Sequence, residues 1–130
     1  MTKMKLSNTE LKLKKLAVLA KAISTEVFGT ATQTNVSGSV TVDGTVPVHF
    51  LTVTGDIQNG VTVSPLPATG HTCHVIFKAA ADRIITMNNT NNAAMVFPDG
   101  GDELSLDIPA GGFAEISFLS DGTNLYVRGI

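Results

Sequence analysis

Tryptophan is absent from this 130-residue chain, and cysteine and tyrosine occur once each. The single thiol, Cys73, excludes an intramolecular disulfide, and a chain of this length buries enough surface to fold as one domain without one. Because the only other aromatic residues are six phenylalanines, the core must consist mainly of Val, Leu, Ile and Ala. No run approaches the roughly 20 apolar residues of a membrane-spanning helix, and the first ten residues lack the apolar stretch of a secretory signal. We therefore expect a soluble domain with no membrane partner.

Charge is divided unevenly along the chain. Residues 1–26 carry six lysines and two glutamates, a net charge of +4, whereas residues 27–130 carry three cations and nine acids, a net charge of −6. An asymmetry of this kind indicates that the two segments have different partners or face each other on neighbouring molecules.

The N-terminal segment has the pattern of an amphipathic helix. Ser7 and Glu10 form a capping-box pattern, and the residues that follow, ELKLKKLAVLAKAISTEV, contain neither Gly nor Pro. Apolar residues recur at three- and four-residue spacing, namely Leu6, Leu13, Leu16, Ala20, Ile23 and Val27. Gly29 is suited to a left-handed C-cap. Residues 1–29 are thus predicted to form a basic α-helical arm.

Two placements of this arm are open: packed on its own β-body, or docked on another subunit or a neighbouring protein. Nucleic acid is not expected as a partner, because the lysines are accompanied by no arginine and no interleaved aromatic residue.

Residues 30–130 are predicted to form a second unit, which is rich in strands. Short Val/Thr/Ile/Phe stretches alternate with turn pairs that tolerate positive φ, at Asp43-Gly44, Asn59-Gly60, Asp99-Gly100, Gly111-Gly112 and Asp121-Gly122. Turn signals at this spacing are typical of an antiparallel β-sandwich or barrel of jelly-roll type. No motif repeats with a fixed period, which argues against a solenoid or propeller.

One stretch contains metal-ligating residue types, namely His71, Cys73 and His74. On a strand, His71 and Cys73 would point to one face and His74 to the other, so at most two could bind one ion. A small buried thiol flanked by polar residues is the expected role of Cys73, and a metal shared between subunits at a symmetry axis is the only arrangement left open.

Acids gather at Asp99, Asp102 and Glu103, but they lack the alternating oxygen ligands of a calcium-binding loop. The chain also has no recognisable set of nucleophile, base and orienting residue. We therefore expect no metal, no cofactor and no enzymatic activity.

The last strands are predicted to form a hairpin around Asp121-Gly122. Ala114, Ile116 and Phe118 would share one face with Leu125 and Val127, whereas Glu115, Ser117, Tyr126 and Arg128 would share the other. The alternation predicts a cross-strand ion pair between Glu115 and Arg128.

The run DELSLDIPAGGFAEISFLSDGTNLYVRG (102–129) resembles the terminal β-hairpin of bacteriophage virion surface proteins: capsid decoration proteins, head fibres and tail-fibre modules. The matching features are Pro109 to Gly112, Phe118 and Asp121 to Asn124. An aromatic residue usually follows the Asn directly in those proteins, whereas here Leu125 precedes Tyr126. The similarity extends over residues 56–130.

This resemblance implies a virion structural protein that assembles in the host cytoplasm and resides on the capsid surface. It implies a homo-oligomer, with a trimer favoured, whose partners are itself and the major capsid protein. We expect a capsid decoration protein that stabilises the shell through its arm. The expected contact residues are Lys12, Lys14, Lys15, Leu16, Leu19 and Ile23.

The alternative is a head- or tail-fibre module that binds a host receptor or glycan. Such a site would lie on exposed loops. The candidate residues are Asn89, Asn91, Asn92, Asp121, Asn124 and Tyr126.

Overall fold

The computed structural model describes residues 29–89 and 94–129, and this part of the chain forms strands and turns. The predicted helical arm lies outside the described residues, apart from Gly29. The strands are β1 (Thr30–Val36), β2 (Val40–Val42), β3 (Val48–Val53), β4 (Val61–Val63), β5 (Thr72–Ala79), β6 (Arg83–Asn88), β7 (Met95–Val96), β8 (Glu103–Ile108), β9 (Phe113–Ser120) and β10 (Leu125–Gly129). Within the described ranges, no helix is long and apolar enough to cross a bilayer.

Six strands form the main sheet, in the order β1-β3-β5-β9-β10-β7. The pairs β1–β3, β3–β5 and β10–β7 are parallel, and the pairs β5–β9 and β9–β10 are antiparallel. β5 lies in the middle of this sheet, as the apolar run at residues 75–77 predicts for a central strand.

The remaining strands form a second layer, in which β2 pairs with β4 in parallel and β6 pairs with β8 antiparallel. Ile57, between β3 and β4, forms a parallel bridge to Ile85. Its N–H donates to the carbonyl of Ile84 (2.9 Å), and its own carbonyl accepts from the N–H of Thr86 (2.7 Å). This bridge thus links the β6–β8 pair to the loop that precedes β4.

The prediction of a mainly β fold is confirmed, but the prediction of antiparallel pairing is wrong for four strand pairs. From residue 30 to residue 79 the chain alternates between the layers: β1, β3 and β5 lie in the main sheet, and β2 and β4 lie in the second layer. A strand that returns to its sheet after crossing the other layer runs in the same direction as before, so its pairing is parallel.

This part of the chain therefore winds as a coil between the two layers, although the absence of a sequence repeat argued against a solenoid. Successive turns of the coil begin at Thr30, Val48 and Thr72. These turns differ in length, and unequal turns give no fixed period in the sequence.

The hydrophobic core lies between the two layers. The main sheet contributes the inward side chains of its long strands, among them Leu51, Phe77 and Phe118, and the second layer contributes Ile57 and Ile85. Leu104, Leu106 and Ile108 turn to the core side of β8, as their alternation predicts. Aliphatic residues with a few phenylalanines thus fill the core, as the composition predicts.

The final hairpin is confirmed: β9 and β10 pair antiparallel around Asp121-Gly122. The predicted ion pair between Glu115 and Arg128 is wrong, because the register places Arg128 opposite Ser117 and the carboxylate of Glu115 lies beside His74 instead. The sequence could not reveal this, because His74 comes from β5 on the other side of β9.

Candidate binding surface

The face of the main sheet that points away from the second layer is the most distinctive surface of the described residues, and we call it the outer face. Six large apolar side chains are exposed in residues 29–89 and 94–129, and five of them lie on this face. These five are Phe50, Val96, Phe113, Leu119 and Tyr126. Phe113 is 65% exposed. When exposed apolar residues are clustered on one face, that face is indicated as an interaction surface.

A polar row crosses the middle of the outer face. His74 of β5 lies opposite Ser117 of β9, which in turn lies opposite Arg128 of β10. Nδ1 of His74 is 3.5 Å from Oε1 of Glu115, a distance that suits an ion pair when the imidazole is protonated. A partner that binds this face would therefore need polar groups opposite this row, which lies between two apolar areas.

Beside this row, a groove of about 510 Å³ opens between β9, β10 and the residues after β7. Its apolar lining includes Val96, Pro98 and Leu119, and Tyr126 and Arg128 supply an aromatic ring and a guanidinium group. A groove with this lining can accept an apolar side chain together with a hydrogen-bond acceptor.

The turn between β9 and β10 is held by the carboxylate of Asp121. Oδ1 accepts from the backbone N–H of Thr123 (2.9 Å) and of Asn124 (2.6 Å), and Oδ2 accepts from the hydroxyl of Tyr126 (3.0 Å). These hydrogen bonds, those from Asn124 and Thr123 first, lower the pKa of Asp121, and the bond to the carboxylate raises the pKa of Tyr126. Asp121 is therefore an organising residue of the turn, and the ring of Tyr126 is fixed at the rim of the groove.

The other loop-site candidates are less closely grouped. Asn89 follows β6, where its N–H donates to the carbonyl of Asp102 (3.0 Å). Its side-chain Oδ1 is buried without a hydrogen-bond partner. Asn91 and Asn92 lie outside the described residues. The structure thus brings Asp121, Asn124 and Tyr126 together, whereas Asn89 is paired with Asp102 instead.

The three metal-ligand candidates point in different directions. Cys73 is fully buried in the core, His74 lies on the outer face, and His71 is exposed in the turn before β5. Burial, with a smaller contribution from the charge of Asp43, raises the pKa of the Cys73 thiol to about 11. In residues 29–89 and 94–129, no three His, Cys, Asp or Glu side chains come together as a metal site would require.

His49 is a buried polar residue that no motif in the sequence singles out. Its ring is 2% exposed on the core side of β3, and Nε2 lies 2.7 Å from the backbone carbonyl of Asp43. A carbonyl can only accept, so Nε2 is the donor in this hydrogen bond. Asp43 is itself fixed, because its carboxylate accepts from the N–H (2.9 Å) and the hydroxyl (2.6 Å) of Thr45. These bonds to Thr45 lower the pKa of Asp43. His49 therefore anchors the turn after β2 to the main sheet.

Three further acids accept backbone hydrogen bonds. Asp56 accepts from the N–H of Ile84 (3.0 Å), Asp82 accepts from the N–H of Ala110 (2.8 Å), and Asp99 accepts from the N–H of Gly101 (2.8 Å). Each of these carboxylates thus fixes a turn or a strand end.

The predicted contact residues of the arm, Lys12 to Ile23, lie outside the described residues. No family model, curated protein or solved structure matches this chain.

Proposed function

We propose that this protein is a bacteriophage virion structural protein, a capsid decoration protein that acts by binding the outer surface of the shell and not by catalysis. The observation that carries the proposal is the outer face, where five of the six large apolar side chains that are exposed in the described part of the chain are concentrated. A surface of this composition favours a role in assembly. The resemblance of residues 102–129 to virion surface proteins supports the same role.

Stabilisation of the shell would follow from mass action. Subunits that bind only the mature shell lower its free energy in proportion to the logarithm of their concentration over the dissociation constant. The proposed partners are the major capsid protein and further copies of this chain, with a trimer favoured by the resemblance. Lys12, Lys14 and Lys15 would supply attraction to an acidic capsid surface.

Copy number in purified virions tests the proposal. Quantitative mass spectrometry against the major capsid protein is expected to give a number of copies comparable to the number of capsomers. A few copies per particle, at a tail or vertex, would contradict a decoration role.

Binding to capsids stripped of this protein tests the lysine contact separately. Lys12, Lys14 and Lys15 replaced together by Glu should weaken binding by at least an order of magnitude and reduce its dependence on salt. The matched control replaces Lys3, Lys5 and Lys21 by Glu, which changes the charge equally. Equal loss in both variants would show that only net charge matters, and unchanged binding in both would remove the lysines from the contact.

A fibre module that binds a receptor or glycan is the second candidate, and the turn at Asp121 favours it. Tyr126 is 46% exposed at the rim of the groove, and its hydroxyl is held by Asp121. A fixed exposed ring suits stacking against a sugar. In glycan-array or cell-adsorption assays, Tyr126→Ala should abolish binding while Tyr126→Phe retains most of it. Unchanged binding by Tyr126→Ala would reject this site.

A further inference from the structure

We propose that residues 6–27 of the chain dock on the outer face of their own main sheet. The segment that precedes β1 reaches the body at Thr30, which lies opposite Val48 at the edge of this face. The segment therefore joins the body at the margin of its most apolar surface.

The dimensions agree with this placement. A helix over residues 6–27 would be about 33 Å long at 1.5 Å per residue. Six strands at a spacing of about 4.8 Å place β7 roughly 24 Å from β1. The segment is thus long enough to cross the whole sheet from the edge at which it is attached.

The surfaces are complementary in composition. The segment has an apolar stripe that includes Leu13, Leu16 and Ile23, and the outer face offers Phe50 and Phe113 among its exposed side chains. The solvent side of the second layer offers only Ile84 as a large exposed apolar residue among the described residues, and its neighbours there are mostly Thr, Ser, Asn and acids. Burial of apolar area therefore favours the outer face over the opposite side.

Because the segment is tethered to its own sheet, docking within one chain is favoured over docking of the same segment from a second copy. A segment attached at the edge of the sheet has an effective concentration in the millimolar range. Free subunits at micromolar concentration cannot compete unless the geometry forbids the internal contact. The dimensions above permit it, so the occupant is the same chain.

This docking does not depend on the proposed function, but it changes which surface meets the capsid: the segment would cover part of the outer face and present its own outward side to the capsid. With the apolar stripe turned to the sheet, Lys14 and Lys15 would lie on the opposite side of the helix. The lysines would then be presented outward by a rigid body, and Leu16 and Ile23 would stabilise the subunit itself.

A single tryptophan reports on the outer face, because the natural chain contains none. Phe113→Trp in the full chain is expected to give blue-shifted emission and weak quenching by acrylamide. The control reporter Ile84→Trp lies on the other layer, at a position that is 46% exposed, and should be quenched strongly. Far-UV circular dichroism verifies that each variant keeps its strands.

Two paired substitutions then test the stripe in the Phe113→Trp background. Leu16→Ser with Ile23→Ser removes apolar residues from the stripe and should raise the quenching constant several-fold. Leu11→Ser with Val18→Ser has the same seven-residue spacing on the opposite side of the helix, and should leave quenching unchanged.

Quenching should also be independent of protein concentration. Protection that appears only as concentration rises would overturn the proposal in favour of a second copy. Equal accessibility of the two reporters in the full chain would mean that nothing covers the outer face. Capsid binding is not read out here, so failure of this docking is distinguishable from failure of the proposed function.

Discussion

At the residue scale, burial has made the single thiol chemically inert. Cys73 is fully buried in the hydrophobic core, opposite Phe118 of β9, and desolvation raises its pKa to about 11. The thiolate is the reactive form, so a raised pKa and a closed core both suppress reaction.

We expect the native protein to react with a disulfide reagent at pH 8 only through unfolding, and the denatured chain to react at once. Since the native thiol binds its proton more tightly than the unfolded one, stability should fall as pH rises from about 9 to about 11. Cys73→Ala should remove this alkaline loss while lowering stability at neutral pH by roughly 1–2 kcal/mol. Rapid labelling of the folded protein would contradict the burial of the thiol.

Asp121 predicts a pH dependence of the opposite sign. Its pKa is lowered by hydrogen bonds from Asn124 and Thr123, so its contribution is present above the ordinary carboxyl pKa of about 4 and is lost as pH falls through the lower native value. Asp121→Asn should lower the denaturant midpoint at pH 7 and leave it unchanged in strong acid. Asp107→Asn, on the exposed side of β8, is the control for loss of a surface charge. Equal effects of the two substitutions at both pH values would contradict the role of Asp121 in the turn.

At the scale of the element, the hairpin of β9 and β10 depends on Gly122. Its φ is +94°, and a Cβ there would lie 2.5 Å from Oγ1 of Thr69. Gly111, in the turn between β8 and β9, also has positive φ (+76°), but a Cβ there would meet no atom within 4 Å. The two glycines thus share backbone strain and differ in crowding.

We expect Gly111→Ala to lower the free energy of unfolding by about 1–2 kcal/mol, because of the left-handed backbone alone. Gly122→Ala should lower it by about 1–3 kcal/mol more, because of overpacking. Adding Thr69→Ala to Gly122→Ala should recover the loss from overpacking but not the loss from the left-handed backbone. Denaturant unfolding of the three variants measures both losses. No difference between Gly111→Ala and Gly122→Ala would mean that Thr69 yields freely.

The same elements show what local sequence can predict. The hairpin at Asp121-Gly122 was predictable because turn, alternation and pairing all lie within about twenty consecutive residues. The parallel pairing of β1, β3 and β5 was not predictable, because it depends on the layer that each intervening strand enters. The Val-Thr-Val sequences of β2 and β4 do not reveal that layer, since a strand of the main sheet could have the same pattern.

The candidate site divides in the same way. Asp121, Asn124 and Tyr126 were predictable as a group because the turn itself joins them. The outer face was not, because Phe50, Phe113 and Tyr126 come from three strands that meet only through tertiary pairing. The partner of His49 was also hidden, since a backbone carbonyl leaves no trace in the sequence.

At the scale of the whole molecule, the two layers share one core. Ile85 of the second layer and Ile116 of the main sheet are both fully buried in a single hydrophobic cluster. Neither layer is closed without the other, because each covers the apolar face of its partner. The body should therefore unfold as one cooperative unit.

Ile85→Ala and Ile116→Ala should each lower the free energy of unfolding by roughly 2–5 kcal/mol, although they lie in different layers. Because both cavities open into one core, each variant should keep a single transition in which far-UV circular dichroism and the fluorescence of the sole tyrosine, Tyr126, change together. The matched control is Ile84→Ala, one residue from Ile85 on β6 and 46% exposed, for which a change below about 0.5 kcal/mol is expected. Separate transitions in the two probes would mean that the layers fold independently. The second layer would then be a detachable cover of the main sheet and not half of the core.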